Sequence, residues 1–243
     1  MPSIKLSVNV NKIATLRNSR GGREPDVADA VSTCVAAGAP GITVHPRADA
    51  RHIRTSDVYD IAELLKSSPE VEYNIEGDPR PDLLELVLNV RPTQCTLVPV
   101  KPGEVTSQAG WSADTRVDEL QSIVARIKKI GVRVSLFIDP VPEAVQWAAA
   151  VGGDRVELFT EPFARAFEAG RGEASFETYA DAAELAHSLG LGINAGHDLD
   201  LKNLPLFRRL PHLQEVSIGH ALVSHALYVG LERSVRDYLH ALR

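Results

Sequence analysis

Five of the eight histidines, His45, His52, His197, His212 and His220, fall at the ends of short apolar runs or in the loops beside them. Imidazole titrates near neutral pH and serves as acid or base. Glu76 ends a similar run and Glu157 lies within another. A carboxyl in a closed pocket gains proton affinity and can return a proton. Asn194-Ala195-Gly196-His197 and Ile218-Gly219-His220-Ala221 put glycine where backbone N–H groups can approach an oxyanion. A helix beginning near His220 adds its positive end. Arg20 and Arg47 could clamp a second anion by paired hydrogen bonds. Proton-transfer groups beside two anion cradles suit carbon–carbon or carbon–nitrogen condensation of phosphorylated substrates.

Eight strands are expected to position these groups: Lys5–Val10, Gly41–His45, Val71–Glu76, Gln94–Val100, Arg133–Asp139, Arg155–Thr160, Gly192–Ala195 and Glu215–Gly219. Several are apolar at nearly every residue, as strands covered on both faces are. Helical periodicity fills the gaps at Pro25–Ala37, Ser56–Lys66, Pro81–Asn89, Asp118–Gly131, Pro142–Ala150 and Ser175–Ser188. Pro25 and Pro81 suit a helix first turn, and Gly38, Gly131 and Gly190 suit helix ends. After Gly219, Val223, Leu227, Leu231, Val235 and Leu239 predict one long final helix with a buried stripe. A loop or short extra helix is expected between Thr160 and Ser175. Eight strand–helix units in 243 residues predict an α/β chain folded as a single-domain (β/α)8 TIM barrel. The rival is a doubly wound sheet, but no G-x-G-x-x-G turn follows the first strand.

In a barrel the carboxyl ends of the strands share one mouth. Strand one delivers Asn9, Asn11 and Lys12, followed by Arg17 and Arg20. Strand two delivers His45 and Arg47, with His52 nearby. Strand three delivers Asn74 and Glu76, strand four Pro99 and Lys101 and then Thr106, and strand five Asp139. Strands six to eight deliver Glu157, Thr160 and Glu161, then Asn194, Gly196, His197 and Asp198, then Gly219 and His220. Each has a plainer alternative. A lone histidine is often a hydrogen-bonded structural residue, and Glu76 could be a solvated loop carboxylate. Glu157 could face the helical shell, Arg17 and Arg20 could form surface ion pairs, and Asp139 most simply caps the next helix.

Composition narrows the class. Acidic residues outnumber basic ones 32 to 26, for a net charge of -6, and no basic cluster suggests nucleic-acid binding. The first ten residues alternate like a strand, and no apolar run reaches the roughly 18 residues that span a bilayer. Cys34 and Cys95 read as small core residues in a reducing compartment. A cytoplasmic protein without membrane contact is expected.

Seven collinear segments carry a further signal: Val8–Gly22, Gly41–Ile53, Tyr73–Gly77, Thr96–Pro99, Val134–Asp139, Ile193–Leu199 and Val216–Ala221. Together they resemble the pyridoxine 5′-phosphate synthase family across nearly the whole chain. The resemblance implies a (β/α)8 barrel that assembles into homo-octamers and uses neither metal nor organic cofactor. It implies condensation of 1-deoxy-D-xylulose 5-phosphate with 3-amino-2-oxopropyl phosphate to pyridoxine 5′-phosphate, phosphate and water, a step of vitamin B6 biosynthesis. His45 and Glu76 would accept protons and His197 would donate one. Arg47, His52 and Thr106 would bind the deoxyxylulose phosphate. Asn9, Arg20, the position of Asp198, and Gly219 with His220 would bind the amino-ketone phosphate. Asn11, Lys12 and Glu157 join the substrate-binding set. The stretch near 100–111 resembles a mobile loop that closes over the site.

Two positions depart from the common family pattern. The first strand usually ends N-x-D-H, where this chain reads Asn9-Val10-Asn11-Lys12. Asn11 can accept a hydrogen bond but cannot take a proton, and Lys12 can hold phosphate as a point charge. Asp198 stands where glycine is common. Both read as a subfamily form. Two other classes remain as alternatives. One is a metal-dependent barrel hydrolase or aldolase using His45, His52, Glu76 and His197, although no H-x-H pair ends a strand. A Schiff-base aldolase through Lys101 or Lys12 is related to it. The other is a non-catalytic barrel that binds phosphometabolites.

Overall fold

The structure, a computed structural model, describes residues 4–100 and 107–243. Among them eight parallel strands close into a barrel in chain order, each paired with its neighbours and the last with the first. They are β1 (Lys5–Asn9), β2 (Gly41–Val44), β3 (Glu72–Gly77), β4 (Gln94–Leu97), β5 (Arg133–Ile138), β6 (Arg155–Phe159), β7 (Gly192–Gly196) and β8 (Leu213–Ile218). The TIM barrel expected from the alternation is the observed fold, with strand ends within three residues of expectation.

The apolar residues of the strands face outward, onto helices. Leu6, Val8, Ile42, Ile75, Val134, Leu136, Val156, Leu158, Ile193 and Val216 are fully buried between barrel and shell. Such burial stabilises by roughly 1.5–3 kcal/mol for each large aliphatic side chain. The alternate positions point inward, and many are polar. Thr43, Asn74, Gln94, Thr96, Asn194 and Glu215 are buried there. Branched aliphatic layers are the usual filling. Here amides meet across the barrel instead: Nδ2 of Asn194 on β7 donates to Oε1 of Gln94 on β4 at 3.3 Å. Mutual pairing offsets the cost of burying such groups.

The shell consists of α1 (Asn11–Arg20), α2 (Val27–Ala36), α3 (Thr55–Leu65), α4 (Pro81–Val90), α5 (Val117–Lys128), α6 (Pro142–Val151), α7 (Glu161–Glu168), α8 (Gly172–Ser188), α9 (Leu204–Phe207), α10 (His220–Val229) and α11 (Leu231–Ala241). Helix α1 escaped the periodicity argument because its sequence, NKIATLRNSR, is mostly polar. Only Ile13, Ala14 and Arg17 of it are buried. Pro25 lies before α2 rather than in its first turn. Asp26 caps that helix, its side chain accepting from the N–H groups of Ala28 and Asp29. Helix α7 is the short extra helix expected after Thr160.

The single long final helix is not observed. Gly230, with φ of 86° and ψ of 153°, separates α10 from α11. The apolar spacing holds on both sides of the break, but the chain turns, leaving Leu227 72% exposed while Val235 is fully buried. Asp139 does not cap α6 either; Val141 holds the N-cap position, with no side-chain cap bond.

Candidate active site

Thr43, His45, Asn74 and Glu76 alternate inward along β2 and β3 and their carboxyl-end extensions. They bring His45 and Glu76 to one mouth, with Nδ1 of His45 4.0 Å from Oε2 of Glu76. Both are buried. That separation is too long for a hydrogen bond. Among the described residues Oε1 of Glu76 has only long contacts, from Nδ2 of Asn74 and Oγ of Ser217, each at 3.5 Å. Burial, then the charge of Glu215, pushes the Glu76 carboxyl up to about 8, against a small opposing effect from Ser217. His45 moves the other way. Burial, then His52, Arg47 and Arg80, hold it down at about 3, so it is neutral at physiological pH. His52 is lowered to about 4, by burial and then by Arg47 and Lys12. The two imidazoles meet edge to face at 6.0 Å.

Asn11 has a definite task. Its Oδ1 accepts from the backbone N–H of His45 at 2.9 Å, tying the exit of β1 to the exit of β2. An amide oxygen does this as well as a carboxylate would. Asn9 accepts from the N–H of Asn11 at 3.0 Å. Arg17, which could have been a rim cation or a surface group, is neither. It is buried and forms a bidentate pair with Asp57 at 2.6 and 2.9 Å. With Asn18 it also donates to the carbonyl of His52, at 3.2 and 2.7 Å, fixing the loop that carries this histidine. Arg47 is buried close enough to shift both histidines. Arg20 is exposed at the last turn of α1 and makes no hydrogen bond or ion pair with the cluster among the described residues.

The opposite side of the mouth is apolar. Val98, Phe137 and Phe159 form a small cluster apart from the main core. The ring of His197 lies edge-on to Phe159 at 5.1 Å. His197 and Asp198 both have left-handed backbone, with φ of 92° and 60°. Non-glycine residues adopt this conformation only against strain. Thr160 holds the turn, its hydroxyl donating to the carbonyls of Gly196, at 2.7 Å, and His197. Oδ2 of Asp198 lies 3.5 Å from Nδ1 of His197, and this pairing holds the half-exposed Asp198 carboxyl below its ordinary range.

Glu157 points into the barrel, not toward the helices. Burial, then the charges of Glu76 and Glu215, raise its carboxyl well above the ordinary value. Gly196 is needed beside it, since a Cβ there would collide with its Oε1. Gly219 likewise lets the end of β8 close on Asn9, where a Cβ would sit 3.0 Å from that residue's Cβ and carbonyl oxygen. Helix α10 starts at His220, its first N–H groups at the mouth and no side chain capping them. Lys12 is exposed near His52. Thr106 and Lys101 lie outside the described residues, as do the residues between them in the 100–111 stretch. Trp111 is fixed: its Nε1 donates to the carbonyl of Leu97 at 2.9 Å.

Several groups at or below the mouth were not singled out by sequence reasoning: Thr96, Arg155, Glu215, Ser217 and the two phenylalanines. The signal was present as polar residues at alternate positions of otherwise apolar strands. Among the described residues no group of three or more His, Cys, Asp or Glu could hold a metal ion. The hydrolase alternative therefore finds no ligand set there.

Fold and site together define a (β/α)8 barrel with acid–base groups gathered at the carboxyl ends of its strands. Distant structural likeness agrees on the fold alone: 3-hexulose-6-phosphate synthase from Salmonella typhimurium superposes with a TM-score of 0.65 at 14% identity, over 98% of both chains. The model of the family described as "Pyridoxal phosphate biosynthesis protein PdxJ" matches residues 6–243. The pyridoxine 5′-phosphate synthase of Bacteroides thetaiotaomicron is 50% identical over 240 residues, covering 98% of this chain and 99% of the relative. That of Porphyromonas gingivalis is 52% identical over 235 residues, covering 96% and 97%. The chain belongs to the PdxJ family.

Proposed function

We propose that this protein is a pyridoxine 5′-phosphate synthase, joining 1-deoxy-D-xylulose 5-phosphate to 3-amino-2-oxopropyl phosphate and releasing phosphate and water. Family membership over nearly the whole chain supports the reaction. The observation that carries the assignment of residues is the buried His45–Glu76 pair, whose proton affinities are shifted in opposite directions, Glu76 up and His45 down, so that burial favours the neutral form of each.

Ring formation needs an amine to add to a carbonyl, loss of water, and removal of carbon-bound protons. Burial raises Glu76 to about 8, so that, once ionised, it is a stronger base for the last task than an ordinary carboxylate. His45, neutral at rest, is ready to accept a proton. The cations that lower it, Arg47 and Arg80, would be balanced by an incoming phosphate, which makes its imidazole more basic once substrate is bound. His197, against the apolar wall, is the donor in this scheme. Arg47, His52 and Lys12 hold one phosphate, with Thr106 in the same set. The start of α10, Gly219 and His220, with Asn9 and Arg20, holds the other. Asn11 acts by fixing His45, so the departure from the family pattern leaves the base in place. Glu157 lies beneath both.

The remaining assignments are cytoplasmic residence and a homo-octamer. Two buried unpaired cysteines suit a reducing compartment. Leu227 and Tyr228, 72% and 89% exposed at the end of α10, offer apolar surface for self-association. Among the described residues no helix is long and apolar enough to cross a membrane. The deciding assay supplies both substrates and follows phosphate and pyridoxine 5′-phosphate. Product only with both present is the expected result, and product from either alone overturns the assignment.

A further inference from the structure

One buried carboxyl has no part in the scheme above. Glu215 points inward from β8 and is 3% exposed. Its Oε2 lies 3.6 Å from Nη1 of Arg155 on β6. Its Oε1 accepts from Nε2 of Gln94 on β4 and Nδ2 of Asn194 on β7, each at 3.3 Å. A guanidinium and two amide donors around one carboxylate favour its ionised form. Among the described residues the two acids above it have no cation so placed. Glu76 faces Asn74, Ser217 and a neutral imidazole, and Glu157 faces Thr96 and the other two carboxyls.

The remaining charges near Glu215 come from three further strands. Lys5 on β1 and Arg133 on β5 are both paired to Glu72 on β3. Burial raises the proton affinity of Glu215 as well, while Arg155 and Arg133 act against that rise. Among the described residues the interior thus holds three stacked acids, of which only the lowest has a cation beside it. Charge on Glu215 raises the proton affinity of both Glu76 and Glu157.

We propose that Glu215 is a positioning residue: held ionised by Arg155, it keeps Glu76 a strong base, so that a proton taken from substrate stays on Glu76 until a later step reclaims it. The proposal rests on Glu76 being the proton acceptor. Its test is the pH dependence of turnover with both substrates, in wild type and in Glu215→Gln, Glu215→Ala and Glu215→Asp. Turnover rises with pH as Glu76 ionises. In the two neutral variants this acid limb moves to lower pH by about one unit or more. Their plateau falls several-fold because the base is weaker, with KM changed by less than about twofold. The aspartate variant keeps the wild-type limb.

A neutral variant that folds and keeps the wild-type limb overturns the proposal, as does an aspartate variant that shifts as far as glutamine. A second measurement needs no substrate. The carbonyl band of the protonated Glu76 carboxyl is assigned by infrared difference against Glu76→Gln, then titrated. Its midpoint falls in whichever neutral variant folds; an unmoved midpoint overturns the proposal. A protein that forms no product at any pH, yet shows this infrared shift, refutes the synthase assignment while leaving the Glu215–Glu76 linkage standing.

Discussion

Low-dielectric surroundings act oppositely on the two groups at the centre of the mouth, because burial disfavours whichever form carries charge. Glu76 is driven toward its acid and His45 toward its neutral base. Replacing one by a near-isostere should therefore remove a proton-transfer step while leaving the shape. Glu76→Gln, His45→Asn and His197→Asn should each lower turnover by about 10² or more with the fold intact. Steady-state rates with circular dichroism check this, and near-normal rates in all three would reject the roles. The charge argument also gives His45 a ligand dependence. Its imidazole resonances should titrate at higher pH with a phosphorylated substrate bound than in the free protein, read by NMR against His45→Asn. No upward movement would mean that phosphate does not sit beside Arg47.

At the scale of elements, the site depends on two close fits between strand ends and loops. The end of β7 passes so near Glu157 that Gly196 has no space for a side chain. Gly196→Ala should displace the carboxyl, cost roughly 1–3 kcal/mol of stability, and depress turnover. Urea unfolding and kinetics measure the two effects; a variant unchanged in both would show that Glu157 has room to move. The second fit is α1 against the loop before α3. Asp57→Asn leaves the buried Arg17 guanidinium without its counter-charge, at a cost of about 3–5 kcal/mol. The His52 loop should loosen with it, so the KM for the deoxyxylulose phosphate rises as well. An ordinary surface pair would show less than about 1 kcal/mol.

For the whole molecule, buried acids make stability depend on pH in an unusual direction. Glu76 changes from an ordinary 4.5 to about 8 on folding. The folded state therefore binds the proton more tightly. Its contribution is fully present below the unfolded value and is lost as pH rises through the window from about 4.5 to about 8. Each unit of such a shift corresponds to about 1.4 kcal/mol. Glu76→Gln, inactive by the argument above, should be more stable than wild type at mildly alkaline pH and should lose the slope across that window. Denaturant midpoints at a series of pH values test this, and parallel curves for the two proteins would contradict it. Self-association belongs to the same scale. Light scattering should return eight chains, and Leu227→Asp with Tyr228→Asp should lower that number if the exposed end of α10 is buried in the assembly.

The chain alone determined the architecture, because strands covered on both faces and helices with one buried stripe leave periodic traces that need no knowledge of neighbours. It also determined the mouth: in a parallel barrel every strand end arrives on one face, so His45, Glu76, His197 and Gly219 converge once the strands are counted. What it left open is what depends on contacts distant along the chain. The polar residues of α1 gave no stripe, yet Arg17 buries itself against Asp57, forty residues on. The apolar spacing after Gly219 continued across a break that only the backbone of Gly230 reveals. Glu157 could have faced either the mouth or the helical shell, and Glu215 stood out only as the start of a strand. Closing the barrel set them one above another with Glu76, and a carboxyl's proton affinity is decided by the charges beside it in space.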